Sequence, residues 1–266
     1  MLGRLPSTPY DDPRDAPSYV DAGELLADAR VDAVALVPEQ ADLLPALRDA
    51  GLLVLLTGPV LDAGLLREAR AAEGPDVAVA LSRRWEPWAR TAAAALPLAG
   101  GPVRQVTVRG WPRGERETVE LVDLARGWCG DVLAAGAGPA VAAPALPGGA
   151  PVAWSLLCAS GATVLVSHEG APVPTARLTL ATARLDAAVD EVRWDGGEAM
   201  ALPPGGLGPD AGLVASAAAL RGAVALGEVE ARAWPWPADL GDLLAAATVL
   251  GALRASARTG TVTSTT

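Results

Sequence analysis

The chain contains one histidine, two cysteines and no lysine; all 21 of its basic residues are arginines. That inventory excludes a Schiff-base lysine, a lysine general acid and a P-loop lysine. His168 stands between Ser167 and Glu169. Neighbours in an extended chain point to opposite faces, so the three do not make a nucleophilic triad, and an exposed or capping histidine is expected. Cys129 and Cys158 lie too far apart in sequence for a C-x-x-C redox motif and have no basic neighbour to activate them. They read as small core residues of a reducing compartment.

Carboxylates offer more. Glu117, Glu120, Asp123 and Asp131 cluster on or beside one helical segment. Glu120 and Asp123, three residues apart, share a face and could act as an acid/base or metal-binding pair. The ordinary reading, a solvated acidic face or pairing with Arg116 and Arg126, is favoured, and no metal site is expected.

These residues must be carried by a packed fold. Of 266 residues 51% are hydrophobic and 20% charged, which describes a globular chain with a sizeable core. Ile, Asn and Phe are absent and Ala, Gly, Pro, Arg and Val dominate, the mark of a GC-rich genome. A net charge of -10 argues against nucleic-acid or anionic-membrane partners. No apolar leader follows Met1, and prolines interrupt the weakly polar stretch 132–152, so a cytoplasmic protein is expected.

After an irregular segment through Pro17, apolar runs at 31–37, 52–56 and 77–81 alternate with helical stretches at 21–29, 41–50 and 61–72. That alternation predicts a parallel sheet covered on both faces. From 103–109 onward the pattern changes to half-exposed strands at 152–157, 162–167, 176–182 and 191–194, with a helix over 117–129 and a hairpin over 162–182. Gly205-Gly206-Leu207-Gly208 reads as a turn. A long helix from Asp239, its N-cap, to Thr259 closes the chain, with Gly260 as its stop and 264–266 frayed. The fold class is thus α/β plus α+β: a truncated Rossmann-like parallel sheet followed by a domain with an open antiparallel sheet. The boundaries are 1–99 for the partial Rossmann-like domain, 100–238 for the α+β domain, and 239–266 for a helix packing back on the first.

Several segments taken in order resemble the Gfo/Idh/MocA family of NAD(P)-dependent sugar and inositol dehydrogenases. Val31–Pro38 resembles that family's fourth Rossmann strand with its proline turn, and Leu56-Thr57-Gly58-Pro59 stands where the family has Glu-Lys-Pro. Arg83-Arg84-Trp85-Glu86-Pro87 resembles its Arg-aromatic-x-Pro, Leu121–Arg126 the helix after its catalytic histidine, and Asp239–Gly260 its C-terminal helix. The resemblance covers roughly residues 18 to 262.

What the resemblance implies is altered at every catalytic position. The family's lysine falls on Gly58, its Asp-x-x-x-His pair on Arg116 and Glu120, and its cofactor-side histidine on Asp42; only Asp123 keeps its type. No Gly-x-Gly-x-x-Gly turn, which would bring backbone amides to a pyrophosphate, precedes residue 18. The expectation is therefore a catalytically degenerate pseudo-oxidoreductase with no cofactor and no catalytic residue, serving a structural or regulatory role. It would retain a remnant cleft at Pro38, Asp42, Thr57, Gly58, Pro59, Arg84 and Trp85.

Its partner would be a second copy, or an active homologue, meeting it through the antiparallel sheet that carries Trp154 and Trp194. Two alternatives stand beside this: a cofactor-free sugar-binding module lined by Trp85, Arg84, Glu120 and Asp123, and an NAD(P)-dependent sugar- or inositol-type dehydrogenase whose N-terminal cofactor-binding segment is missing from this chain. Either that segment was lost and something covers the open edge of 31–37, or translation starts upstream of Met1.

Overall fold

The computed structural model describes the chain apart from residues 1, 5–17, 20–21, 29–30, 32, 111, 113, 139–152, 168–174, 182, 189, 203–211, 220–237 and 266. His168 and the 205–208 turn lie outside the described residues. Contacts divide the chain into two compact units. The first takes Met1–Ser82 and Pro209–Ala245, the second Arg83–Gly208 and Ala246–Thr266.

The first unit is built on a five-stranded sheet in the order β2-β1-β3-β4-β5. Its strands are β1 (Leu2–Arg4), β2 (Ser18–Tyr19), β3 (Ala33–Leu36), β4 (Leu53–Leu56) and β5 (Val77–Val79). β3, β4 and β5 are parallel, as the apolar runs predict: Val34, Leu36, Val54, Leu55, Leu56 and Val79 are fully buried. Helix α1 (Ala22–Ala27), α2 (Leu44–Asp49) and α3 (Ala63–Ala71) connect them. Asp62 caps α3 by accepting from the Gly64 and Leu65 amides. The Arg48 guanidinium, 7% exposed, donates to the carbonyls of Ala69, Gly74 and Pro75 and so fixes the turn into β5. Gly74 sits at φ +127°, and a side chain there would collide with the Arg48 carbonyl.

One expectation fails at the edge of this sheet. Leu2–Arg4 is not irregular: β1 pairs antiparallel with β3, matching Gly3 to Ala35 and Arg4 to Val34. The edge of 31–37, for which some cover was one expectation, is paired by β1 of the same chain. A helix over 212–219 packs Leu213 and Ala217 against Leu55, Ala78 and Ala80.

The second unit is a nine-stranded sheet backed on one face by helices. Its order is β13-β12-β11-β10-β6-β9-β8-β7-β14. In chain order the strands are β6 (Val103–Arg109), β7 (Val132–Ala137), β8 (Ala153–Cys158), β9 (Thr163–Ser167), β10 (Thr175–Leu180), β11 (Arg184–Ala188), β12 (Glu191–Trp194), β13 (Ala199–Met200) and β14 (Thr263–Ser264). The sheet is mixed rather than purely antiparallel, because β6 runs parallel to β9. β6 also separates β9 from β10, so the hairpin predicted over 162–182 does not form. Ser264, expected to fray, pairs instead with β7, opposite Ala134.

The backing helices are α4 (Pro87–Ala95), α5 (Glu115–Cys129) and the later part of α7 (Leu240–Thr259), counting the helix over 212–219 as α6. α4 packs on β11 and β12, which places its residues with the second unit and moves the boundary from 99 to 82. Asp239 caps α7 through the Asp242 amide, and Gly260 ends it at φ +70°. α7 is long and apolar enough to cross a bilayer by length and composition. Here Leu250, Leu253 and Ser256 are buried in the second unit, where the Ser256 hydroxyl accepts from the Ala137 amide at 2.9 Å.

Candidate functional site

Five of the seven cleft residues belong to the first unit, at the carboxyl ends of its parallel strands. β3 ends at Leu36, and Pro38 starts a 3-10 turn (Pro38–Leu43) that carries Asp42 exposed on its surface. β4 ends at Leu56, and Thr57-Gly58-Pro59 follows. The Thr57 amide donates to the Leu36 carbonyl at 2.9 Å, and the Ala80 amide to the Leu56 carbonyl at 2.8 Å, tying the three strand ends together. Gly58 and Pro59 are buried. A Cβ at Gly58 would meet Pro38 Cγ at 3.3 Å, tighter than ordinary packing. The structure thus places Pro38, Thr57, Gly58 and Pro59 together at the carboxyl ends of β3 and β4. The carboxyl ends of parallel strands are where open α/β sheets receive ligands.

Arg84 and Trp85 lie in the second unit, in a 3-10 turn (Ser82–Trp85) followed by extended Glu86 and by Pro87 at the first position of α4. Arg84 does not line an open surface. Its Nε donates to Asp123 Oδ2 and its Nη2 to Asp123 Oδ1, both at 2.6 Å, with the side chains 8% and 1% exposed. This two-pronged pair is the strong geometry for guanidinium and carboxylate. Asp123 is therefore a structural residue of α5, and the acid/base pair imagined for Glu120 and Asp123 does not exist as such.

Glu120 keeps a different neighbourhood. Its Oε2 lies 3.3 Å from Arg83 Nε, and it is 13% exposed. Arg83 also reaches Glu117 at 3.7 Å and donates to Glu86, whose other oxygen accepts from Trp88 Nε1 at 2.5 Å. Trp88 in turn packs on Trp128, ring centres 6.1 Å apart and tilted by 60°. Arg116 is exposed on the first turn of α5, and Arg126 pairs with Asp131 at 2.9 Å. Of the expected carboxylate pairings, Arg126 meets Asp131, while Glu117 and Glu120 also meet Arg83 and Asp123 is held by Arg84. Sequence reasoning missed Arg83 and Glu86, although their i,i+3 spacing ahead of a proline was a usable sign.

The two tryptophans expected at an interface face inward. Trp154 is 3% exposed, and Trp194 pairs with fully buried Leu185, so both lie on the helix-backed side. Among the described residues no cluster of metal-ligating side chains occurs.

No family model matches the chain, and no curated relative does. Solved structures match it closely in shape. The fold is that of the Gfo/Idh/MocA-type oxidoreductases. Levoglucosan dehydrogenase, in complex with NADH and levoglucosan, superposes with a TM-score of 0.72 at 15% identity, over 93% of this chain and 83% of that one. An oxidoreductase from Agrobacterium radiobacter, in complex with NAD+, L-tartaric acid and magnesium, gives 0.71 at 17% identity over 92% and 83%. The WlbA dehydrogenase from Bordetella pertussis, in complex with NADH and UDP-GlcNAcA, gives 0.65 at 17% identity over 92% and 83%. All three hold a nicotinamide dinucleotide, which corrects the expectation that this chain takes no cofactor and points to NAD(P).

Proposed function

We propose that this chain is a nicotinamide-dinucleotide-dependent oxidoreductase acting on a hydroxyl- or carbonyl-bearing small molecule of sugar type. The observation that carries the reading is the meeting of the β3 and β4 carboxyl ends, where buried Gly58 lies so close to Pro38 that a side chain would press on it. Pro38, Thr57, Gly58 and Pro59 are the residues that would hold the dinucleotide, and small, backbone-lined strand ends suit a flat ring. When bound, the dinucleotide supplies the hydride acceptor or donor.

The chain's own part is proton transfer. With no lysine in the chain, the second unit's own candidate for taking a hydroxyl proton is the Glu120 carboxylate. Arg83, 3.3 Å away, orients it. Asp123, clamped by Arg84, holds α5 in place without taking part.

Titration of the purified protein with NADH and NADPH, followed by calorimetry, should give saturable binding of at least one of them. The dissociation constant is expected between about 1 μM and 1 mM, the range in which enzymes hold their substrates. Gly58→Val should weaken binding at least about tenfold, because the new side chain presses on Pro38. Absence of saturable binding to either dinucleotide across that range returns the chain to a non-catalytic role.

We further propose that a second copy of this chain covers the outer face of the nine-stranded sheet. Leu157 and Leu165 stand there 46% and 39% exposed, beside a groove of about 670 Å³ flanked by Ser155 and Ser167. The neighbouring half carries both signs of charge, Arg177 with Asp186 and Arg193 with Glu191, a pattern that a two-fold copy can complement. Light scattering should report a dimer that Leu165→Arg reduces to a monomer. A wild-type monomer refutes this assembly.

A further inference from the structure

Two thiols that the proposed reaction does not use meet at the far end of α5. Cys129 is the last residue of that helix and Cys158 the last of β8. Gly130 at φ +79° turns the chain out of α5, and two residues later Val132 pairs directly with Cys158 in the β7–β8 ladder. The backbones are laced together around the pair. The Ser160 hydroxyl donates to the Cys129 carbonyl at 2.6 Å, and the Ala159 amide to the Asp131 carbonyl at 2.7 Å. A tight turn with Gly161 at φ +82° returns the Gly161 amide to the Cys158 carbonyl at 2.9 Å. Both side chains are buried, 3% and 1% exposed, and both are free thiols in mutual contact.

We infer that Cys129 and Cys158 form a reversible intramolecular disulfide when the protein meets a small hydroperoxide, a staple that locks the C-terminal end of α5 to β8. The contact also polarises the pair. The hydrogen bond from Cys129 lowers the Cys158 thiol, against the opposing effect of burial, while the same bond and burial raise Cys129. Cys158 is then the sulfur that reacts first, since thiolates are the nucleophilic form. Its thiolate attacks the peroxide oxygen, giving a sulfenic acid and releasing an alcohol or water. The Cys129 sulfur next displaces the sulfenic oxygen as water. Two thiols and one hydroperoxide thus yield one disulfide, one alcohol and one water. Only a small oxidant reaches sulfurs this deeply covered. The inference goes beyond the proposed oxidoreductase reading and stands independently of it.

The test uses the full chain in its reduced, folded state, treated with hydrogen peroxide, quenched, denatured and alkylated before intact-mass measurement. The expected product carries no alkyl groups and is about 2 Da lighter than the reduced chain. It melts higher by about 4 °C or more, because the bridge restrains the unfolded chain, and dithiothreitol reverses both changes. Cys129→Ser should remove the bridge; the wild-type mass measurement stands even if that variant folds poorly. Full alkylation of both thiols, a Cys158 sulfinic acid beside a free Cys129, or a disulfide between two chains would each overturn the inference. A bridged chain with unchanged melting would overturn the staple.

Discussion

Asp123→Ala is expected to cost about 3–5 kcal/mol of folding stability, the range measured when one partner of a buried ion pair is removed. The argument is one of burial and geometry. Arg84 and Asp123 meet through two hydrogen bonds of 2.6 Å, and neither side chain is more than 8% exposed. Deleting the carboxylate leaves a guanidinium inside the second unit without the acceptor that answers both of its prongs. Solvation lost on burial is then no longer offset.

The paired replacement Arg84→Met with Asp123→Leu should recover most of the loss, because it removes both charges while keeping volume. Urea unfolding followed by circular dichroism measures this directly, with an unchanged slope showing that the midpoint alone has moved. A single-variant loss below about 1 kcal/mol would place the pair among weak surface bridges and refute the assignment.

On the proposed reading, Glu120→Gln should lower turnover by about 10²–10⁴-fold, the usual contribution of a positioned acid or base. Glutamine keeps the shape and one hydrogen-bond acceptor toward Arg83 but cannot take a proton. Dinucleotide affinity should stay within about twofold, since Glu120 is not among the residues proposed to hold the dinucleotide. Steady-state kinetics beside the calorimetric titration separates the two effects. Unchanged turnover removes Glu120 from the chemistry while leaving dinucleotide binding intact; a matched loss of affinity would give it a binding role instead.

How much of this was legible in the sequence follows from which interactions are local. Val34, Leu36, Val54 and Val79 announce buried parallel strands because each lies in an apolar run bounded by turn residues. β6 was readable to the residue, since its alternation is strong. β7 was not: Val132-Leu133-Ala134-Ala135-Gly136-Ala137 has weak strand propensity, and its place is set by partners at 154–158 and 263–264. The hairpin misread over 162–182 has the same source. Sequence proximity suggested that β9 and β10 pair, whereas β6 lies between them.

At the candidate site the types at Gly58, Arg116 and Glu120 were visible, but their neighbours were not. Arg84 sits 39 residues from Asp123, and no spacing rule links them. The two cysteines show the same gap, far apart along the chain and in contact in space.

The placement of β6 also bears on how the molecule is made. Val106 pairs on one side with Val164 and on the other with Leu178, and both of those residues come far later in the chain. During synthesis β6 therefore leaves the ribosome with neither neighbour present, and it waits through α5, β7 and β8 before its ladder can begin. Loop closure over such distances is slow, and an apolar strand with both edges bare is an invitation to other chains. The residues β6 turns to solvent, Arg104, Gln105 and Arg109, are polar or charged and exposed. Charged and polar side chains at those positions oppose pairing with other chains during that interval.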